Sequence, residues 1–145
     1  MNAAHLRLAR SEDYEAVNAL ETALVSRDLD RRAMFTAVLA HPDHSFVVAE
    51  VEGEVVGLAH LLVYHDLPHG ALSGELLGLI VREDCRRQGI ARALLEEVCR
   101  IARSRGVGEF HINTEQDNLA AQRLYQSAGA EQVGLQLEID LGEPK

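Results

Sequence analysis

One stretch of this chain, a strand followed directly by a basic turn and a helix, limits its folding most. Leu76-Leu77-Gly78-Leu79-Ile80-Val81 is an apolar run with the length and character of a strand buried on both faces. Arg86-Arg87-Gln88-Gly89-Ile90-Ala91 follows at once. From about Gln88 to Ser104, Ile90, Ala91, Leu94, Leu95, Val98, Ile101 and Ala102 then fall on one helical stripe, which Gly106 ends. The first N–H groups of a helix have no partner inside it, and the helix dipole places partial positive charge there. With no side chain at Gly89, a bulky anion can approach the backbone. This arrangement predicts a binding site for a diphosphate. Charge supports it: Arg82, Arg86, Arg87 and Arg92 outnumber Glu83 and Asp84 within a chain of formal net charge −9. The turn has neither the Gly-Lys-Ser/Thr end of a P-loop nor the three spaced glycines of a dinucleotide-binding turn. It also follows a hairpin rather than the first strand.

The length, 145 residues, predicts one domain spanning 1–145 with a core of its own. No apolar run is long enough to cross a bilayer, and the Met1–Arg7 segment has no apolar signal core, so a cytoplasmic, membrane-free protein is expected. Cys85 and Cys99 read as reduced, unpaired thiols, and no Cys/His spacing matches a zinc site, so no metal is expected. The acidic balance argues against nucleic acid and favours cationic substrates.

Leu6-Arg7-Leu8 reads as a first strand. Ser11 reads as an N-cap for a helix with Tyr14, Val17, Leu20 and Leu24 on one face. A second helix is expected from about Leu29 to Leu39, with Met34, Phe35, Val38 and Leu39 inward, ending before Pro42. Phe46–Val51 and Val55–Tyr64 flank a turn at Glu52-Gly53 as a hairpin. His65–Gly74, punctuated by Pro68 and glycines, reads as a loop, and Glu75 as the start of the central strand. Glu96 and Arg100 can pair on the wet side of the long helix. A strand is expected at Glu109–Thr114 and a helix at Leu119–Ser127. Leu135, Leu137, Ile139 and Leu141 alternate with polar residues as a half-exposed last strand. The result is a mixed α/β fold, a central sheet with helices on both faces.

Two patterns lie in order along the chain. Arg86, Gly89 and Ala91 fill [Arg/Gln]-x-x-Gly-x-[Gly/Ala]. Downstream lies Asn118-x-x-Ala121-x-x-Leu124-Tyr125-x-x-Ala128-Gly129. Together they resemble the GNAT superfamily of acetyl-CoA-dependent N-acetyltransferases, over nearly the whole chain and most clearly from Leu76 to Gly129. Ala130 departs from the pattern, since many relatives carry Phe there; the position concerns packing. The resemblance implies a mostly antiparallel, twisted sheet of six to seven strands, splayed at the cofactor site and flanked by about four helices. It implies acetyl-CoA as cosubstrate, with the diphosphate held by the Arg86, Arg87, Gln88, Gly89, Ile90, Ala91 and Arg92 segment. The Leu79, Ile80 and Val81 edge would pair with the pantetheine arm as an added strand does. Asn118 and Ala121 complete the implied cofactor set, and Asn118 is also a natural N-cap.

The resemblance further assigns Tyr125 as the acid that protonates the leaving thiolate, although a tyrosine here can also simply pack beneath a sheet. A phenol with pKa about 10 can donate while staying neutral at pH 7. Glu75, eleven residues before Arg86, has the offset of the general base in the histone-type branch. By strand parity it should share a face with Leu77, Leu79 and Val81. It could act directly or through water; an exposed strand-end glutamate, or a water relay with no dedicated base, fits the residues as well. His60, His65, His69 and His111 receive no role. The implied acceptor is a primary amine, first a small cationic one such as an aminoglycoside or polyamine, second a protein amine. Relatives often dimerise, so a homodimer is compatible. A non-catalytic acyl-CoA sensor and a nucleotide-binding protein are the competing readings.

Overall fold

The computed structural model describes residues 3–142, in two compact units that divide after Ile112. The first contains β1 (His5–Leu8), α1 (Tyr14–Val25), α2 (Arg32–Ala40), β2 (His44–Val51), β3 (Glu54–Asp66), β4 (Ala71–Val81), α3 (Ile90–Ser104) and β5 (Glu109–Ile112). Its sheet runs in the order β1-β2-β3-β4-β5, antiparallel except for the β4–β5 pair. The second unit contributes α4 (Leu119–Ser127).

Helices cover both faces of this sheet. Tyr14, Val17 and Leu20 of α1 and Phe35 of α2 close over Phe46, Val48 and Leu58, with Ile80 packed alongside. On the other face α3 packs against β2, β3 and β4 through Leu94, Leu95, Val98 and Ala102. Each such leucine or valine contributes about 1.5–3 kcal/mol by leaving water, which is why the central strands lack a polar alternation. The β2–β3 turn is a two-residue one with Glu52 and Gly53 both left-handed, the twist a tight hairpin needs.

The structure corrects the sequence reading at several points. Ser11 is not an N-cap: Ser11–Asp13 is a short 3₁₀ turn, and Asp13 accepts the Arg10 N–H (2.7 Å). The fork of Arg7 donates to both Asp13 oxygens (2.8 and 2.9 Å) while its Nε reaches Glu50 at 2.8 Å, so buried charge rather than a serine fixes this corner. Met34 is 69 % exposed, because α2 starts at Arg32 and its phase turns Phe35 inward instead. Glu96 pairs with Arg92 (3.1 Å) and Arg100 with Glu97. There is no loop at His65–Gly74. Strand β3 runs on to Asp66, a single 3₁₀ turn at Leu67–His69 reverses the chain, and Glu75 lies inside β4. Finally, the described part of the tail forms no strand, so the sheet has five strands among the described residues rather than six to seven. Alternation marks two faces but supplies no neighbour to pair with, and Leu135, Leu137, Ile139 and Leu141 are all more than 80 % exposed.

A histidine lies among these apolar side chains. His60 Nε2 is 2.8 Å from His44 Nδ1, and its ring packs on Phe46. Burial, and then the neighbouring His44, pushes its pKa from 6.5 down to about 4. A folded value below the unfolded one means that protonation favours the unfolded chain. Stability is therefore complete above pH 6.5 and is lost as the pH falls towards 4. Thermal melts over this window should show a falling Tm, with a shallower slope in His60→Leu; equal slopes would contradict this.

Candidate active site

Strands β4 and β5, at one side of the sheet, are paired for only part of the length of β4. Their parallel ladder runs from Ser73↔Glu109 to Leu76↔Ile112 and stops with β5, while β4 continues to Val81. Within this unit Gly78–Val81 pair only with β3, which leaves the other edge of β4 open beyond Leu76. A bulge marks the point of separation. His60 faces Gly78, yet Leu61 faces Leu76, so Leu77 is an extra residue on β4.

That extra residue alters which side chains share a face. Strand parity put Glu75 with Leu77, Leu79 and Val81. Counted across the bulge, Glu75 instead joins Gly78 and Ile80 on the α1 side. Its cross-strand partners are Leu62 on β3 and His111 on β5. The same face carries Tyr64 and Ser73, Asp66 at the end of β3 and Glu109 on β5. Asp66 accepts hydrogen bonds from Ser73 Oγ (2.8 Å) and lies 2.8 Å from His69 Nδ1. Burial, then Glu75 and Asp66, and more weakly Glu109, raise the Tyr64 phenol, so three carboxylates act on one hydroxyl. Asp66 and Glu109 were not picked out from the sequence. Extending the hairpin register through Leu67–His69 would have placed them.

At its far end the open edge runs into the basic turn. Arg82 is held by Asp84 (2.7 Å) and Glu54 (3.5 Å), and Arg86 Nε donates back to the Val81 carbonyl (3.0 Å). Arg87 (φ 63°) and Gly89 (φ 82°) are both left-handed. For arginine this costs on the order of 1 kcal/mol, and such strain gathers at binding turns. Gly89 is the residue before α3, no side chain caps the helix there, and the first backbone bond runs from Ala93 N–H to the Gly89 carbonyl (3.0 Å). A side chain at Gly89 would meet no protein atom within 4 Å, so its backbone faces open space. Leu79, Ile80 and Val81 thus lead, through a short 3₁₀ turn at Glu83–Cys85, to the Arg86–Arg92 segment. Glu75 lies on the same strand but on the α1 face.

In the second unit, Asn118, Ala121 and Tyr125 lie on successive turns along α4. Asn118 caps the helix by accepting the Ala121 N–H at 3.1 Å. Tyr125 is buried, and burial raises its phenol pKa, which keeps the proton on at neutral pH.

The profile of the acetyltransferase (GNAT) family matches residues 6–130. This chain belongs to the GNAT family. Curated relatives agree. It is 32% identical over 124 residues to aminoglycoside N(6')-acetyltransferase type 1 of Serratia marcescens, covering 81% of this chain and 85% of that protein. It is 33% identical over 135 residues to aminoalkylphosphonate N-acetyltransferase of Salmonella typhimurium, covering 91% and 88%. A match to human N-acetyltransferase 8 is 39% identical over 89 residues, 61% of this chain but 39% of that protein. Among solved structures, aminoglycoside N-acetyltransferase AAC(6')-Iy in complex with CoA superposes with a TM-score of 0.85 at 21% identity, covering 97% of this chain and 95% of that one. The protein is therefore a GNAT N-acetyltransferase, an acyltransferase that takes an acyl-CoA cosubstrate and an acceptor. Among its described residues no helix is long and apolar enough to cross a membrane.

Proposed function

We propose that this GNAT enzyme moves the acetyl group of acetyl-CoA to a small cationic primary amine by direct attack. One observation carries the reading: the open β4 edge, which ends at Val81, leads through a single 3₁₀ turn at Glu83–Cys85 and the basic turn into a start of α3 that no side chain caps. A pantetheine arm has two amides that need strand-like partners, and it ends in a diphosphate that needs backbone N–H groups. Leu79, Ile80 and Val81 would take the first, and Arg86 to Arg92 the second, with Asn118 and Ala121 completing the cofactor set by family resemblance. That resemblance also supports Tyr125 as the acid for the thiolate, and the raised phenol pKa suits a group that must stay protonated. The family profile spans both compact units, which supports a single catalytic domain.

Cationic acceptors are supported by the face that carries Glu75, Asp66 and Glu109 beside Tyr64. Glu75 contributes charge there and remains a candidate base, directly or through water. Thiol release from acetyl-CoA, measured against kanamycin, spermidine, a peptide α-amine and a lysine peptide, tests the proposal. Turnover is expected with kanamycin or spermidine. Turnover with the peptides alone would overturn the acceptor class, and binding without any transfer would indicate a sensor.

A further inference from the structure

Helix α1 presents a carboxylate where its pattern calls for an apolar residue. Tyr14, Val17 and Leu20 are buried along its inner face, and Glu21 follows Val17 by one helical turn and precedes Leu24 by three residues. A carboxylate in such a stripe is costly unless it is paired or has a task. Among the described residues Glu21 makes no hydrogen bond or ion pair. The Arg31 guanidinium, whose field reaches it, is already held by Asn18 (2.6 Å), Thr22 (3.1 Å) and the Arg27 carbonyl (2.8 Å).

The helix holds this carboxylate over one point of the sheet. A Cβ added at Gly78 would lie 3.8 Å from Glu21 Oε1, with Leu24 and Leu58 carbons at 3.4 and 3.8 Å. Gly78 is the first residue beyond the Leu77 bulge, where β5 has ended and the β4 edge opens. The half-buried Glu21 carboxylate thus reaches, together with the Leu24 and Leu58 side chains, the place where the strands part.

We infer that Glu21 is the general base that deprotonates the acceptor ammonium. The inference rests on the acetyltransferase reading above. Glu21 accepts one proton from the R–NH3+ group, and the freed lone pair attacks the thioester carbonyl carbon. The C–N bond forms, the C–S bond breaks, and the second nitrogen proton passes to solvent, from which the acid that protonates the thiolate is later reprotonated, so that one proton is released overall. The thiolate takes a proton from the acid, and Glu21 returns its own to solvent. Burial raises the Glu21 pKa, with Arg31 opposing, and this brings the carboxylate closer to the range a base needs near pH 7. The other titratable or charged groups on this face include His44, His60, Tyr64, Asp66, Glu75, Glu109 and His111 on the sheet and Arg31 after α1. His60 stays neutral above pH 5.

The test compares wild type with Glu21→Gln and Glu21→Asp, using the amine from kanamycin or spermidine that wild type acetylates. At pH 7, Glu21→Gln is expected to lose about 10²–10³-fold in kcat/KM. The gap should narrow to within about tenfold near pH 10, where the free amine no longer needs a base. Glu21→Asp should retain part of the rate. Acetyl-CoA affinity should be unchanged, and the Tm of Glu21→Gln should not fall, since a neutral amide is buried more easily than a carboxylate. Wild-type rates in Glu21→Gln, or a loss that tracks a lower Tm and is the same at every pH, would overturn the role of Glu21 and leave the functional reading intact. Failure of wild type to acetylate any amine would overturn both.

Discussion

Gly89→Val is expected to weaken acetyl-CoA binding by at least 100-fold while leaving the protein folded. Two effects act at one atom. The residue has φ 82°, which a β-branched side chain tolerates only with strain of about 1–3 kcal/mol. Relaxing that strain rotates the first N–H groups of α3 away from their common focus. A valine side chain would also occupy the space through which the diphosphate reaches them. Hydrogen bonds from N–H groups to an anion contribute about 1.5–3 kcal/mol each, so losing two costs roughly 3–6 kcal/mol, or a factor of 100 or more in Kd. No protein atom lies within 4 Å of the added Cβ, so the fold has little reason to fail. Calorimetric titration together with a melting curve separates the two effects. Binding within threefold of wild type would remove this turn from the cofactor site. Gly89→Ala, with less bulk at the same φ, should fall between them.

Tyr125→Phe is expected to lower kcat by about 10²–10⁴-fold with little change in acetyl-CoA affinity. A leaving thiolate needs a proton, and the burial that raises the Tyr125 pKa keeps one on its phenol. The ring and its packing survive in the variant, so a loss of rate without a loss of Tm isolates the hydroxyl. Pre-steady-state and steady-state assays across pH 6–9 would measure it. Normal turnover with binding intact would make Tyr125 a packing residue.

How much of this was legible in the sequence depended on which signals were local. Helix α4 was read with its observed ends, because Asn118 is a good cap and the apolar spacing is regular. Helix α3 was read to within two residues for the same reason, with a left-handed Gly106 after its end. The β3–β4 hairpin was not legible. Gly74 has the look of a loop residue, but it sits in the ladder opposite Val63, where Leu61, Phe110 and Val107 would crowd a Cβ at 3.3 Å. A packing glycine and a turn glycine look alike in a sequence. The bulge at Leu77 was equally invisible, and it alone puts Glu75 on the face of Gly78 and Ile80 rather than that of Leu79 and Val81. Glu21 went unread because a helical stripe is counted by its apolar members. Its position over Gly78 appears only once α1 lies on the sheet.

The central claim is that the β4 edge and the start of α3 form a cradle for coenzyme A. Isothermal titration of the purified protein with acetyl-CoA, repeated with coenzyme A, ATP and NAD as competitors, tests it most directly. The expected result is one saturable site, displaced by coenzyme A and not by the nucleotides. Absence of heat and of thermal stabilisation with acetyl-CoA, or displacement by ATP or NAD but not by coenzyme A, would contradict it.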